Sequence, residues 1–191
     1  MIDRACKTVA DKKISTSFRI DPETLHKLNL ESEKSEVSLN SLVNQILKQH
    51  VEWHSKAADA GVGTIFKPML KHLMAQLDEE SIKGLAKKIA KQEGKDFMML
   101  LSHEYNIHAA LKLIEIWLKV IKYPYSYDVT GNEHKFFIHH DLGKKYSIYL
   151  SELYENVLNE FDVHSTFKIE QNSITFVVNT KPNSPLLVND K

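Results

Sequence analysis

Two arginines and ten histidines are the side chains whose type and placement bear most directly on chemistry in this 191-residue chain. Of 25 cationic residues only Arg4 and Arg19 are arginine, and both precede residue 20. The fixed arginine fork matches the paired acceptors of guanine in the major groove, whereas lysine serves phosphates as a point charge. Base reading therefore points to the N-terminus. His50 and His54 stand four apart, the spacing that lays two imidazoles on one helix face as zinc or nickel requires. No acidic partner completes that site, and His50 falls on an apolar stripe where a packed histidine is the commoner outcome. His139-His140-Asp141, with His134 just upstream, is denser. Alternation along a strand sends His139 and His140 to opposite faces, so both cannot ligate one ion. Neither a metal site nor a cofactor is expected.

Signatures of catalysis are missing from the pattern. There is no glycine-rich phosphate loop and no nucleophile elbow, and the lone Cys6 precedes the first element in what reads as an arm. The chain is not expected to be an enzyme. A single cysteine excludes an internal disulfide and any multi-cysteine cluster, and fits a reducing compartment. Lysines 83, 87, 88, 91 and 95 form one basic helix face, read as a solvated surface. Formal net charge is zero, so no global basic field marks a nucleic-acid binder and any DNA contact must be local. The longest apolar run, Phe97 to Leu101, is far short of a membrane span. The expected location is cytoplasmic, with no membrane partner.

The elements that position Arg19 begin with Ile14 to Ile20. Ile14, Thr16, Phe18 and Ile20 alternate with Ser15, Ser17 and Arg19, the pattern of a short strand. Asp21-Pro22 stops it and starts a helix, Asp21 capping the free amides and Pro22 taking the first helical position. That helix extends to about Lys34 with Leu25 and Leu28 inward. Ser38 caps a second helix, with Val37 and Leu42 as a hydrophobic staple and a stripe of Leu39, Leu42, Val43, Ile46, Leu47, His50, Val51 and Trp53. A lone strand with two short helices buries too little to be stable alone. Two copies, strands paired antiparallel about a two-fold axis, would bury Phe18 and Ile20 and leave a two-stranded ribbon suited to a major groove.

Strand, Asp-Pro-Glu, helix, then Val37-Ser38-Leu39-Asn40-Ser41-Leu42-Val43-Asn44-Gln45-Ile46-Leu47 resembles the ribbon-helix-helix (Arc/MetJ/CopG-type) DNA-binding fold over residues 14–54. The resemblance implies that Ser15, Ser17 and Arg19 read base edges. It also implies that the amides of Ser38, Leu39 and Asn40 hold a phosphate, as a helix N-terminus does, with Lys13 beside them. The usual glycine before the second helix is absent, with Glu36-Val37 in its place.

Residues 55–64, small and polar with two of six glycines, read as a linker. Residues 65–179 then form a second domain. A helix with Phe66, Met69, Leu70, Leu73, Met74 and Leu77 is followed by one capped by Asp78, and 96–122 holds two more. The last of these, around Ala109 to Ile121, is apolar on nearly all sides and marks the centre of a core. From Tyr125 the period becomes two: a strand, a Gly131-Asn132 turn, and a second strand from Lys135 to His140. A helix from about Lys144 to Phe161 and two closing strands meeting at Gln171-Asn172 complete a ββαββ order. The fold class is α+β, a helical bundle followed by an antiparallel sheet covered by one helix. Residues 180–191 read as a flexible tail.

The function expected from these features is sequence-specific binding of double-stranded DNA by a homodimer, acting as a transcription regulator and repressor. Two alternatives stand beside it. One is a ligand- or metal-responsive regulator whose C-terminal domain binds a small-molecule effector. The other is a dimerisation module without DNA binding.

Overall fold

The structure, a computed structural model, describes residues 14–180. The chain divides into two compact units, one ending at Leu47 and one beginning at Lys48.

In the first unit, helix α1 spans Pro22–Lys34 and helix α2 begins at Leu39 and extends to Gln49. Both starts are as the capping residues dictate. The Asp21 carboxylate accepts from the Thr24 amide at 2.8 Å, and Ser38 Oγ accepts from the Ser41 amide at 3.1 Å. α1 ends in a Schellman turn, with Val37 N donating to Ser32 O and Glu36 N to Glu33 O. Glu36, at the position where a glycine is usual, takes the left-handed conformation with φ 53°.

Residues 14–20 correct the sequence-based expectation. They form no strand, and Ile14 and Phe18 are 82% and 62% exposed. A strand exists only through ladder bonds to a neighbour, and one copy of the chain offers these residues none. The ribbon-helix-helix architecture is thus not what the N-terminal residues adopt. Alternation of side chains was present without the pairing that turns alternation into a sheet.

The second unit opens with a π-helical turn, His50–His54, and a short helix α3, Ser55–Ala57. Gly61, at φ 71°, closes this stretch: Val62 N donates to Ala57 O across it. Trp53 and Ala57 are buried, so the stretch that reads as a linker starts as packed helix. Helices α4 (Lys67–Gln76), α5 (Glu79–Ser102) and α6 (Ile107–Val120) follow. Asp78 caps α5 through the Ser81 amide at 2.8 Å, and Asn106 caps α6 through the Ala109 amide at 2.8 Å.

The ββαββ portion is as the periodicity predicts: β1 (Tyr125–Thr130), β2 (Glu133–His139), α7 (Lys144–Asn159), β3 (His164–Ile169) and β4 (Ser173–Asn179). The strands form one antiparallel sheet in the order β1-β2-β4-β3. Register places Tyr127 opposite Phe136, Phe136 opposite Phe176, and Phe176 opposite Phe167. Their rings stack in one row across all four strands, with centroids 4.1, 4.8 and 5.3 Å apart. Such directly opposed aromatic pairs stabilise the ladder and pin its register. Phe136, Ile138, Ile174, Phe176 and Val178 are fully buried on this face, and α7 packs over them. α6 feeds two core clusters from opposite sides: Leu111 and Leu118 join the sheet cluster, while Ala109, Ala110 and Leu113 join one around Trp53 and Met98. That accounts for its being apolar nearly all round.

Candidate functional site

Helices α4 to α7 enclose a partly open cavity of about 570 Å³ within the second unit. Each wall follows from its helix's apolar stripe. α5 contributes Leu85, Ile89, Ala90, Gly94, Phe97 and Met98; α6 contributes Ala110, Leu113, Ile114 and Trp117. α7 supplies Tyr146, Tyr149, Leu150, Leu153, Tyr154 and Val157, and α4 adds Leu70 and Met74. Trp53 and the turn from Ala60 to Gly63 complete the lining. The Lys145 ammonium holds α4 against α7 by donating to the carbonyls of Ala75 at 2.8 Å and Leu77 at 2.5 Å.

The electrostatics of the lining are simple. Glu93 is its one charged residue, and no histidine or cysteine belongs to it. The remaining polar groups are three phenols and two indoles, those of Trp53 and Trp117. Burial pushes the hydroxyls of Tyr146 and Tyr154 well above the ordinary phenol range and raises that of Tyr149, so each is a neutral O–H. The Tyr154 ring lies against Phe176 of the sheet, centroids 5.4 Å apart, and thus stands between cavity and sheet. Its Oη is buried and makes no hydrogen bond with any described residue.

Behind the Tyr146 wall lies a second polar group. His140 is fully buried and meets Tyr146 edge-on at 5.0 Å. The Leu142 amide donates to its Nδ1 at 3.0 Å, which leaves the proton on Nε2 to be donated to Ser147 Oγ at 2.8 Å. Burial, reinforced by neighbouring His139, lowers its pKa to about 4. His139 turns outward and bonds Asp141 at 2.7 Å. The opposite facing predicted for this pair holds. His134 is also held, through a 2.7 Å bond between its Nδ1 and the Tyr127 hydroxyl. His50 and His54 are both exposed, so His50 is not the packed histidine its stripe suggested. Among the described residues no three His, Cys, Asp or Glu side chains cluster in a way that would hold a metal.

The residues expected to contact DNA are scattered in role. Ser15, Ser17 and Arg19 are exposed on the irregular segment, and Ser38, Leu39 and Asn40 stand at the start of α2, where the Ser38 hydroxyl is occupied as its cap. Lys13 and the tail beyond residue 180 lie outside the described residues. Nothing in the pattern of apolar and polar residues announced the cavity, although two signals were present. α6 is apolar beyond what one face needs, and α7 carries three tyrosines on its buried stripe.

No family model and no curated protein matches the chain. Solved structures similar to it include a Cs H-NOX mutant carrying 4-cyano-L-phenylalanine at its own site 5, at 11% identity over 88% of this chain and 78% of that one, with a TM-score of 0.39. A single-substitution mutant of T. Tengcongensis H-NOX is similar at 11% identity over 88% and 79% of the two chains, with a TM-score of 0.38. Because residues 14–20 form no strand, the expectation of a ribbon-helix-helix DNA-binding repressor reading bases through Ser15, Ser17 and Arg19 is corrected.

Proposed function

We propose that the unit beginning at Lys48 is a small-molecule-binding sensory domain whose ligand occupies the cavity between α4 and α7. The observation that carries this reading is the cavity itself: about 570 Å³, almost wholly apolar, with a few phenolic hydroxyls in its walls. Its volume lies inside the roughly 300–1,000 Å³ range of ligand pockets, and a mostly apolar lining with sparse polar groups is their usual composition. Of the two kinds of effector weighed from the sequence, an organic molecule suits this lining better than a metal ion, because no imidazole or thiol faces the space.

Saturable binding of N-phenyl-1-naphthylamine, a neutral fluorophore that brightens on leaving water, tests the reading. The wild-type protein is expected to bind it with one site per chain and to gain thermal stability as it does so. Gly94 lines the cavity, and a side chain there starts 3.7 Å from Val157 Cγ2, an ordinary contact. Gly94→Phe should therefore leave the helices intact by circular dichroism yet weaken the fluorophore about tenfold by occupying its space. Non-saturable binding, or equal affinity in the variant, would refute the assignment.

For the first unit a second copy of this chain is the partner we propose. Among its described residues only Ser32 and Leu42 are buried, while Ile14, Phe18, Ile20, Leu25, Leu30, Ile46 and Leu47 are exposed. A two-helix unit with that balance lacks a core of its own, and symmetric pairing would supply one to both copies at once.

A further inference from the structure

We propose that the cavity takes lipophilic amines, with the apolar body inside and the ammonium group at the open margin, and that the Glu93 carboxylate is the counter-charge that selects them. This rests on the reading of the cavity as a ligand site and goes beyond it in naming the ligand class and the residue that sets it.

The charge of the lining comes first. Glu93 is the one charged residue bordering the cavity, and no lysine, arginine or histidine stands there to receive an anion. Its side chain is exposed and makes no ion pair among the described residues. The sequence of α5 explains why it is unpaired. Side chains three and four positions apart are neighbours on a helix, and those around Glu93 are Ile89, Ala90, Asp96 and Phe97, none of them cationic. Lysines 83, 87, 91 and 95 each fall two residues before Leu85, Ile89, Glu93 and Phe97, which at 3.6 residues per turn puts them on the far side of the helix. Lys95 is engaged there, its ammonium 5.5 Å from the centroid of the Tyr105 ring. α5 thus turns these four cations away from the side on which Leu85, Ile89, Glu93 and Phe97 border the cavity.

Hydration decides where a ligand's charge sits. An ammonium group taken wholly into an apolar space loses its water and needs a paired anion. At the open margin it keeps water on one side while its apolar body leaves the solvent, as a lysine stem does on a protein surface. Phe97, one turn on from Glu93 and half-buried, brings an aromatic ring to the same place, and Trp53 meets it edge-on with centroids 6.2 Å apart. Aromatic faces attract an ammonium group and pack against a flat apolar body. A carboxylate on the same body meets the reverse, repelled by Glu93 and offered no cation. An uncharged molecule fills the space without the gain at the margin.

The test is displacement of N-phenyl-1-naphthylamine, which carries no charge, from the full chain at neutral pH. Three competitors share one body and differ at its end: 4-phenylcyclohexylamine, 4-phenylcyclohexanol and 4-phenylcyclohexanecarboxylate. In wild type the amine should compete about fivefold more tightly than the alcohol, the combined worth of one exposed ion pair and one exposed cation–π contact, and the carboxylate should compete least well. Added salt should shrink the advantage of the amine, because the pair is open to solvent. Glu93→Gln should bind the fluorophore as wild type does and reduce the amine-to-alcohol ratio to about twofold or less, the part left to Phe97. Glu93→Lys should reverse the order and put the carboxylate ahead of the amine. Equal competition by amine and alcohol in wild type overturns the proposal, as does a fivefold ratio that survives in Glu93→Gln or an order that Glu93→Lys leaves unchanged. Failure of the fluorophore to bind saturably refutes the ligand site itself, whereas saturable binding with no preference among the three competitors refutes only the amine class.

Discussion

His140 is committed to its neutral form by the two bonds it makes. A protonated ring has donors at both nitrogens, and Nδ1 already receives the Leu142 amide. Its pKa drops from the usual 6.5 to about 4 on folding. Between those values the unfolded chain binds the proton and the folded chain does not, so the stability contributed is full above pH 6.5 and is lost as pH falls toward 4. The loss runs at no more than about 1.4 kcal/mol per pH unit for one group. Urea unfolding at intervals from pH 7.5 to 4.5 should therefore show a steeper decline in wild type than in His140→Gln, whose amide cannot titrate. Parallel declines would show that another group controls acid stability. The opposed facing of His139 and His140 was legible from alternation; that His140 would be satisfied by an amide two residues away and a serine on α7 was not, because those partners arrive through the turn at Leu142 and the packing of a later helix.

Elements were read correctly where a cap or a period spoke locally, and misread where packing overrode the local signal. Residues 79–102 read as two helices and fold as one. Ile82, Ala86, Ala90 and Met98 are its buried stripe, and Gly94 falls on that same line, beside Val157 of α7. A glycine there weakens the isolated helix, yet the close α5–α7 pairing holds it in place. Small residues at steps of four were the signal for that approach. Between α1 and α2 the missing glycine has a measurable consequence. Glu36 holds φ 53°, a conformation that is disfavoured for a residue with a Cβ by about 1–2 kcal/mol. Glu36→Gly relieves that strain and loses part of the gain to backbone entropy. A net stabilisation of about 0.5–1 kcal/mol is expected, seen as slower amide exchange across residues 22–47. Unchanged or faster exchange would show that Glu36 is not strained.

At the scale of the whole molecule the two units differ in kind. The second has clusters centred on the aromatic row of its sheet and on Trp53, whereas the first exposes most of its large apolar side chains. Sedimentation equilibrium of the full chain is expected to give about twice the 22.0 kDa of one copy. Phe18→Ser combined with Ile20→Ser should shift the mass toward a single copy while leaving fluorophore binding by the second unit intact. A wild-type protein that stays a single copy at high concentration would exclude self-association through the first unit. Among the described residues no helix is long and apolar enough to cross a membrane.

Local chemistry sufficed for the helix caps at Asp21, Ser38 and Asp78, the Gly131 hairpin, the ββαββ order and the α+β class, because caps and periods act between residues a few positions apart. Three outcomes depended on long-range packing. Residues 14–20 alternate as a strand would and form none, because alternation becomes a strand only through ladder bonds to a neighbour. α5 stayed continuous because α7 supports it at Gly94. The cavity with Tyr154 in its wall exists because four helices distant in sequence meet without filling the space between them, and a stripe of apolar residues reads the same whether it faces another side chain or a ligand.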